Sequence, residues 1–288
     1  MPELPEVEAL VADLGRRLEG RAIVRIDLAA FSALKTFDPP ITALNGQFVE
    51  GVHRFGKFLD IDVSGTHLVM HLARAGWIRW RDEVPQLPAR PNSKSPLAAR
   101  VVLDDDSGLD ITEAGTRKSL ALYVVRDPQD VEGIARLGPD PLKPDFTREV
   151  LAGILQAAGR AQLKGTLRMQ SNIAGIGNAY SDEVLHAAKM SPFKPSNSLS
   201  DDELDTVYAA IRGVLGDAVA RADGLAASEL KSEKKSNLAV HGRTGKPCPV
   251  CGDTVREVSF ADSSLQYCAT CQTGGKPLAD RRMSKLLK

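Results

Sequence analysis

The spacing of apolar residues predicts a helix at the start of the chain. Between Val7 and Leu18 the apolar positions recur every three or four residues, which is the period of an amphipathic helix. Acidic residues stand in the first turn after Pro5, arginines stand in the last turn, and Gly20 follows as a stop. The pattern therefore predicts a helix that begins at Pro5 and buries one stripe.

From about residue 22 to residue 125 the pattern changes to short apolar runs that are typical of strands. Turn sequences such as Ser64-Gly65 separate some of these runs. Several short strands in succession predict a sandwich or barrel-like domain. The strands are expected at residues 23–26, 47–52, 58–63, 67–72 and 99–103.

The second half of the chain returns to helical spacing. A loop with four prolines is predicted at residues 84–96, and a hinge is predicted at 126–136. Ser200 and Glu203 form the sequence pattern of a capping box before the last long helix. A basic polar stretch at 231–237 then leads to a cysteine-rich module. Helices are expected at residues 148–158, 178–189 and 201–222.

Composition describes a globular chain with no membrane segment. With 288 residues, of which 43% are hydrophobic, the chain can form two domains and a small module. No apolar run approaches the ~18 residues of a membrane helix, and no signal peptide is visible. The four cysteines form two CxxC pairs, which favours metal binding in a reducing compartment. We therefore expect a cytoplasmic protein.

The charge balance is neutral overall but uneven along the chain. Lysine and arginine total 37, and so do aspartate and glutamate, which by itself argues against a phosphate-binding protein. Residues 221–288, however, carry 12 basic against 7 acidic side chains. A neutral total can therefore hide a positive face. A mixed, solvated surface is the alternative.

The cysteine spacing predicts a structural zinc site. Cys248 and Cys251 are followed, after sixteen residues, by Cys268 and Cys271. Two CxxC knuckles place four thiolates around one tetrahedral Zn²⁺. Four protein ligands leave no open position, so the metal does not activate water. One zinc ion would instead hold together a hairpin that is too small to fold alone.

The first residues contain a candidate nucleophile. Removal of Met1 would leave Pro2 with a free secondary amine, and a free α-amine titrates near pH ~8. Such an amine can attack a sugar C1′ or a carbonyl to give an iminium, and Glu3 beside it can transfer protons. In the alternative interpretation, Pro2 and Pro5 are only an irregular lead-in to the first helix.

Two further positions have both a functional and a structural interpretation. Lys57, just before a predicted strand, is either a phosphate or abasic-sugar contact or an ordinary solvated charge. The segment from Gly175 to Asn178 opens a helix and can present backbone N–H groups to a phosphate. It can equally be a helix corner with Asn178 as N-cap. Histidines in apolar contexts, including His71 and His186, are assigned structural roles.

Several of these motifs resemble the formamidopyrimidine-DNA glycosylase and endonuclease VIII family. The N-terminal Met-Pro-Glu-Leu-Pro-Glu, Lys57, residues 137–142, the segment 173–180 and the cysteines occur in the family order across nearly the whole chain. The resemblance implies an α+β protein of a divergent bacterial type. Its expected parts are a β-sandwich with flanking helices at 1–125, the hinge at 126–136, a helix–two-turn–helix domain at 137–237, and a zinc-finger β-hairpin with a basic tail at 238–288.

The resemblance also implies a function. It predicts a DNA-repair glycosylase and abasic-site lyase that removes oxidised bases from damaged duplex DNA. Pro2 would form the Schiff base, Glu3 would transfer protons and Glu6 would support the site. Lys57 and Asn178 would bind the DNA backbone. No redox or nucleotide cofactor is implied, and we expect a monomer associated with the nucleoid through DNA.

The sequence departs from the family at residues that contact DNA. The arginine of the zinc hairpin falls on Ser263, with Arg243 and Arg256 as nearby substitutes. The intercalating methionine aligns with Arg74, and the wedge phenylalanine has no counterpart. Arg117 or Lys118 is the candidate to replace the arginine beside it. Arg74, Arg117, Lys118 and Arg243 are therefore candidate DNA contacts.

These departures keep two other classes of function open. One is a non-catalytic module that binds damaged or abasic DNA, although binding alone does not require a free imino terminus. The other is an RNA- or ribosome-associated zinc protein, which rests only on the cysteines and the basic tail.

Overall fold

The computed structural model describes residues 1–86, 89, 95–260 and 263–279. The chain divides into two compact units. The first comprises Met1–Leu137 and Ala222–Leu230, and the second comprises Gly138–Arg221 and Lys231–Lys288. Part of the predicted proline-rich loop and the tail from residue 280 lie outside the described residues. The four-part division expected from the sequence stays a prediction.

Helix α1, Leu4–Leu18, opens the first unit as its apolar spacing predicts. Glu3 is its N-cap, Pro5 lies in its first turn, and Arg16 and Arg17 lie in its last turn. The arginines therefore oppose the partial negative charge of the helix C-terminus. Val7, Leu10, Leu14 and Leu18 of the apolar stripe are at most 1% exposed and lie in the core of this unit.

Two four-stranded antiparallel sheets form the body of the first unit. One has the order β1-β6-β7-β5 and the other β2-β3-β4-β8. Buried residues of both sheets and of α1 form one apolar cluster, which is the arrangement of a sandwich with a flanking helix. The strands are β1 Ile23–Leu28, β2 Val49–Phe55, β3 Phe58–Val63, β4 Thr66–His71, β5 Gly76–Arg81, β6 Leu97–Leu103, β7 Gly108–Glu113 and β8 Ala121–Val125.

The five strands expected from the sequence are confirmed, with shifts of a few residues at their ends. Strands β5, β7 and β8 were not predicted. Charged residues hide β5 and β7, because Asp110 is buried in β7 and ion-paired with Arg81 of β5 and Arg100 of β6. Charged residues are usually exposed, so a buried, ion-paired aspartate makes a strand look like a surface segment in the hydropathy pattern of the sequence.

The predicted hinge, residues 126–136, contains two short helical elements. Pro128–Asp130 forms a 3₁₀ turn and α2 spans Glu132–Ala135. Val131 and Ile134 form an apolar cluster with Val69 of β4 and Val125 of β8. Part of this segment therefore belongs to the packing of the first unit.

The segment after the long helix returns to the first unit. Ala222, Ala227 and Leu230 are buried in its core cluster. The Trp77 indole Nε1–H donates a hydrogen bond to the Ala227 carbonyl oxygen at 2.9 Å. The chain thus enters the first unit twice, which the sequence pattern does not indicate.

The second unit is helical, with a small β-hairpin. Helices α3 and α6 match the predicted bounds, and α5 ends two residues before the predicted end. Helices α4, α7 and α8 were not predicted. The polar stretch at 231–237 is helical, and Lys234 lies 4.6 Å from the ring centroid of Tyr180. The elements are α3 Arg148–Ala158, α4 Leu163–Arg168, α5 Asn178–Ala187, α6 Asp201–Ala222, α7 Leu230–Asn237, β9 Val255–Ser259, β10 Ser264–Cys268 and α8 Ala269–Thr273.

No helix within the described ranges is both long enough and apolar enough to span a membrane.

Candidate active site and nucleic-acid interface

The first candidate site is the chain start, where Pro2 precedes two buried carboxylates. Pro2 is buried, and Glu3 and Glu6 are only 2% and 3% exposed. Glu3 and Glu6 form a capping box, in which the Glu3 backbone N–H donates to Glu6 Oε2 at 2.8 Å. This reciprocal cap satisfies backbone groups at the helix start and fixes the direction of the chain that enters it. The cap therefore holds Pro2 beside both carboxylates.

Lys57 lies in the two-residue turn that joins β2 to β3. Phe55 and Phe58 pair across this turn, and Gly56 supplies its positive φ of 56°. Lys57 is 8% exposed. Arg54 in β2 is ion-paired with Glu8 of α1 and also donates to the Gly56 carbonyl oxygen at 3.4 Å. The turn that carries Lys57 is thus tied to the first helix.

His71 lies close enough to Lys57 to respond to its charge. The β3–β4 register pairs His71 with Phe58, whose ring centroid is 4.7 Å from that of the imidazole. Burial, and then the charge of Lys57, lower the pKa of His71 to about 4. His71 is therefore neutral at pH 7. Sequence reasoning missed this neighbour, because only the strand register brings residues 57 and 71 together.

The remaining candidate DNA contacts of the first unit lie in exposed connections. Arg74 lies in the turn between β4 and β5, and Arg117 and Lys118 lie between β7 and β8. The carboxylate of Glu113 shapes the second connection by accepting the backbone N–H groups of Ser119 and Leu120 at 2.8 and 3.1 Å. The Lys118 ammonium also contacts the Glu113 carbonyl oxygen. Exposed guanidinium and ammonium groups of this kind can contact a nucleic-acid backbone.

In the second unit, Asn178 is the first residue of α5, and Gly177 is its N-cap. The interpretation of Asn178 as an N-cap is therefore wrong. Asn178 Nδ2 donates to the Ser264 carbonyl oxygen of β10 at 2.8 Å. Asn178 Oδ1 is buried and has no hydrogen-bond partner among the described residues. The amide is thus held against the hairpin with one polar atom unused.

A buried ion pair braces the start of α5. Lys164 Nζ lies 2.7 Å from Asp182 Oδ1, 2.7 Å from Ser181 Oγ and 3.0 Å from the Asn178 carbonyl oxygen. Asp182 Oδ2 lies 2.8 Å from His241 Nδ1 and accepts the Gln266 backbone N–H at 3.2 Å. Two helices, the segment before the first cysteine pair and β10 are therefore joined through one carboxylate.

Two arginines near the cysteine pairs each have a guanidinium nitrogen without a hydrogen-bond partner among the described residues. Arg243 Nη2 donates to the Pro247 carbonyl oxygen at 3.5 Å, while Nε of both Arg243 and Arg256 is buried without a partner in the described structure. Ser263 closes the hairpin turn, since its carbonyl oxygen accepts the Phe260 N–H at 2.8 Å. The neutral Ser263 supplies no cation at the hairpin tip.

The four cysteines fit a tetrahedral zinc ion. Their Sγ atoms all lie within 4.8 Å of one another, and the Cys248–Cys271 and Cys251–Cys268 distances are 3.9 and 3.4 Å. Zinc–thiolate bonds of about 2.3 Å in a tetrahedron require sulfur–sulfur distances of about 3.8 Å. Burial raises the pKa of the Cys268 thiol to about 11. Zinc binding would displace that proton and keep the sulfur as a thiolate.

Comparison with known proteins covers both units. The formamidopyrimidine-DNA glycosylase N-terminal domain matches residues 1–122, its H2TH domain matches 137–229, and a zinc finger found in FPG and IleRS matches 245–274. The formamidopyrimidine-DNA glycosylase of Symbiobacterium thermophilum is 33% identical over 297 aligned positions, which cover 98% of this chain and 93% of that protein. This chain belongs to the formamidopyrimidine-DNA glycosylase family.

Other relatives agree with this assignment. An uncharacterised formamidopyrimidine-DNA glycosylase-like protein of Mycobacterium tuberculosis is 60% identical over 152 residues, which are 53% of this chain and 94% of that protein. The MutM (Fpg) crystal structure from Thermus thermophilus has a TM-score of 0.79 at 30% identity and covers 96% of this chain and 100% of its own. Lactococcus lactis Fpg in complex with FAPY-dG DNA has a TM-score of 0.82 at 26% identity, with 94% and 100% covered.

The comparisons confirm the predicted family, the fold class and one structural zinc site. The roles of individual residues stay predictions. Within the first unit the structure gathers Pro2, Glu3 and Glu6 at one helix start. Within the second unit it joins Asn178 to the hairpin that ends at Cys268.

Proposed function

We propose that this protein is a base-excision-repair glycosylase and abasic-site lyase that removes oxidised bases from duplex DNA through the secondary amine of Pro2. The observation that supports this most directly is the burial of Pro2 next to the Glu3–Glu6 capping box. A helix start alone does not require two carboxylates that are almost fully buried. A nucleophile that exchanges protons with its substrate is served by a carboxyl group fixed beside it, which is the position of Glu3.

The reaction begins with extrusion of the damaged nucleotide, since C1′ is inaccessible inside a duplex. After removal of Met1, the Pro2 nitrogen attacks C1′, and the bond from C1′ to the base breaks. The proton that the Pro2 nitrogen loses leaves with the base. Glu3 then gives a proton to the sugar ring oxygen, the bond from C1′ to that oxygen breaks, and the sugar ring opens. Glu6, which holds the Glu3 N–H, keeps that carboxyl group in place. The product is an iminium between Pro2 and the sugar.

The iminium makes a proton on C2′ acidic, and its removal expels the 3′ phosphate by β-elimination. A second elimination, the δ-elimination, then breaks the bond between the sugar and its 5′ phosphate. Lys57, which is braced through Arg54 and the Gly56 carbonyl, holds the backbone near the reacting sugar. Its neighbour His71 is neutral at pH 7 and adds no charge there.

The other DNA contacts lie on both units. Arg74, Arg117 and Lys118 bind DNA from exposed connections of the first unit. Asn178 and Arg243 bind backbone phosphate in the second unit through the N–H groups of their amide and guanidinium side chains. Zinc has a structural role only, because Cys248, Cys251, Cys268 and Cys271 would fill its coordination sphere. The protein acts as a monomer in the cytoplasm, where it associates with the nucleoid through DNA.

Borohydride trapping tests the proposal. Purified protein, with loss of Met1 verified by mass spectrometry, is incubated with duplexes that carry an abasic site or an oxidised base. Borohydride reduces an iminium and leaves a covalent complex. Pro2→Gly, which replaces the secondary amine, should strongly reduce trapping. Pro5→Ala is the matched control, because it removes a proline of the same helix start but leaves the amine, and it should trap as wild type does.

A non-catalytic binder of damaged or abasic DNA is the second candidate, and the neutral Ser263 at the hairpin tip is the observation that favours it. Binding of lesion duplexes without any trapping, by protein that lacks Met1, would establish this candidate and reject the enzyme. Preferential binding of structured RNA in a salt titration would reject both the DNA glycosylase and the non-catalytic DNA binder.

A further inference from the structure

A buried histidine outside the four-cysteine set lies against one of the zinc ligands. His186 is the penultimate residue of α5 and is 5% exposed. Its Nε2 lies 3.2 Å from Cys248 Sγ, and Cys248 is itself 3% exposed. This distance is within the range of a hydrogen bond to sulfur. Its apolar sequence context predicts only a structural role for His186, and the 62 positions between His186 and Cys248 give no sign of this contact.

Four thiolates around Zn²⁺ carry a net charge of −2, and a buried charge requires compensating donors. The Cys268 sulfur has such a donor in the backbone N–H of Cys271. At Cys248 the donor supplied by a side chain is the imidazole of His186. Groups that hydrogen-bond to metal ligands orient them and tune the affinity for the metal.

We propose that His186 is a positioning residue for the zinc centre, which donates its Nε2–H to the Cys248 thiolate and thereby slows loss of the metal. The hydrogen bond holds the Cys248 side chain in the orientation that keeps its sulfur among the other three cysteine sulfurs. It also withdraws electron density from a sulfur that would otherwise be the better target for electrophiles and oxidants.

The position of His186 in α5 gives this contact a wider consequence. The same helix begins at Asn178, whose amide is bonded to β10, and ends next to the first cysteine knuckle. Asn178 and His186 are eight positions apart in the helix, which is a rise of about 12 Å along its axis. One rigid element therefore connects the zinc centre to a proposed phosphate contact. Loss of the metal should therefore displace Asn178 through a movement of this helix.

Zinc transfer to a chromogenic chelator tests the proposal on the full-length, zinc-loaded protein. His186→Phe removes the donor and keeps a ring of similar size, and it should weaken zinc retention about 10- to 100-fold. His186→Gln keeps an N–H donor and should stay within a few fold of wild type. His53→Phe is the control, because His53 is an exposed histidine of the first unit, and it should leave zinc transfer unchanged.

Three results would overturn the proposal. Wild-type retention in His186→Phe would mean that the contact has no effect on the metal. Equal losses in the Phe and Gln variants would assign His186 to packing alone. Finally, a change of the Co²⁺ absorption bands between wild type and His186→Gln would show that His186 is itself a ligand. Tryptophan fluorescence verifies folding of the first unit, since Trp77 and Trp80 both lie there.

Discussion

The two candidate sites are stabilised in different ways. At the chain start, Pro2, Glu3 and Glu6 follow one another in sequence, and their arrangement needs only one helix cap on a large apolar core. At the start of α5, Asn178 is bonded to groups from α4 and β10, and Asp182, one turn later, is bonded to His241. The first site is therefore local and backed by hydrophobic packing. The second is assembled from distant parts of the chain.

The cores of the two regions differ in the same way. The sandwich shares one apolar cluster between both sheets and α1. The zinc module has small clusters, one centred on Val240, Val255 and two of the cysteines. Burial of so few side chains, at about 1.5–3 kcal/mol each, does not offset the cost of ordering the backbone of the module, which is about 1–2 kcal/mol per residue. The module therefore depends on metal and on buried polar contacts, and this difference decides which perturbations each region should survive.

Removal of zinc should separate the two regions most clearly. Cys268→Ser takes away one of four ligands at a fully buried position, and structural zinc contributes on the order of 10 kcal/mol to the folding of such modules. The variant should lose its zinc, the order of the hairpin and most of its DNA affinity. Zinc content, DNA binding and tryptophan fluorescence should be measured on the same preparation.

Because both tryptophans, Trp77 and Trp80, belong to the first unit, their emission should not change when the metal is lost. Unchanged DNA binding without zinc would refute the role of the hairpin. A shifted tryptophan spectrum would show that the two regions do not differ in the way described above.

Neutralising the buried carboxylate of the second unit should have the next largest effect. Asp182→Asn leaves the Lys164 ammonium buried without its charge partner, which typically costs about 3–5 kcal/mol. Zinc should also be released more easily, because Asp182 holds His241 and β10. Thermal unfolding followed by circular dichroism and zinc release are the measurements.

Asp110→Asn is the matched variant in the first unit. Asp110 is also buried, and it accepts hydrogen bonds from Arg100 at 2.6 and 3.0 Å and from Arg81 at 2.9 Å. Its neutralisation should lower stability but leave zinc release unchanged. Equal zinc release from the two variants would contradict the assignment of Asp182 to the bracing of the zinc module.

The difference between local and distant contacts also explains what the sequence can predict. The CxxC pairs, the helix that starts after Pro2, and the long helices α3 and α6 are patterns within short windows, and the structure confirms them. Strand β7 was missed because its charge at Asp110 is paired with residues from other strands. The bond from Asn178 to Ser264 joins residues 86 positions apart, and no periodicity records it.

His71 should make the stability of the first unit depend on acid pH. Its pKa is about 4 when folded and about 6.5 when unfolded, so the unfolded chain binds more protons between these values. The stabilisation is fully present above pH 6.5 and is lost as the pH falls toward 4, with an upper limit of about 3 kcal/mol. Urea unfolding followed by tryptophan fluorescence at pH 7 and pH 4.5 measures it.

His71→Asn removes the titrating group, so the difference between wild type and variant isolates its contribution from that of the carboxylates. The variant should lose less stability than wild type between the two pH values. The same pH dependence in both proteins would mean that the pKa of His71 is not lowered by folding. The statement that Lys57 has a neutral histidine as its neighbour would then be wrong.

Arg74 should show the smallest effect and the most selective one. It lies in an exposed turn of the first unit, where loss of one guanidinium contact costs roughly 1 kcal/mol, or about fivefold in affinity. Extrusion of the damaged nucleotide leaves an empty space in the base stack. If the Arg74 side chain fills that space, Arg74→Ala should weaken binding of a lesion duplex more than binding of undamaged DNA. Arg79→Ala is the matched control, because Arg79 is also exposed but lies within β5. Equal losses on both duplexes for Arg74→Ala would make it a phosphate contact only, and the selectivity for damage would then have to come from the site around Pro2.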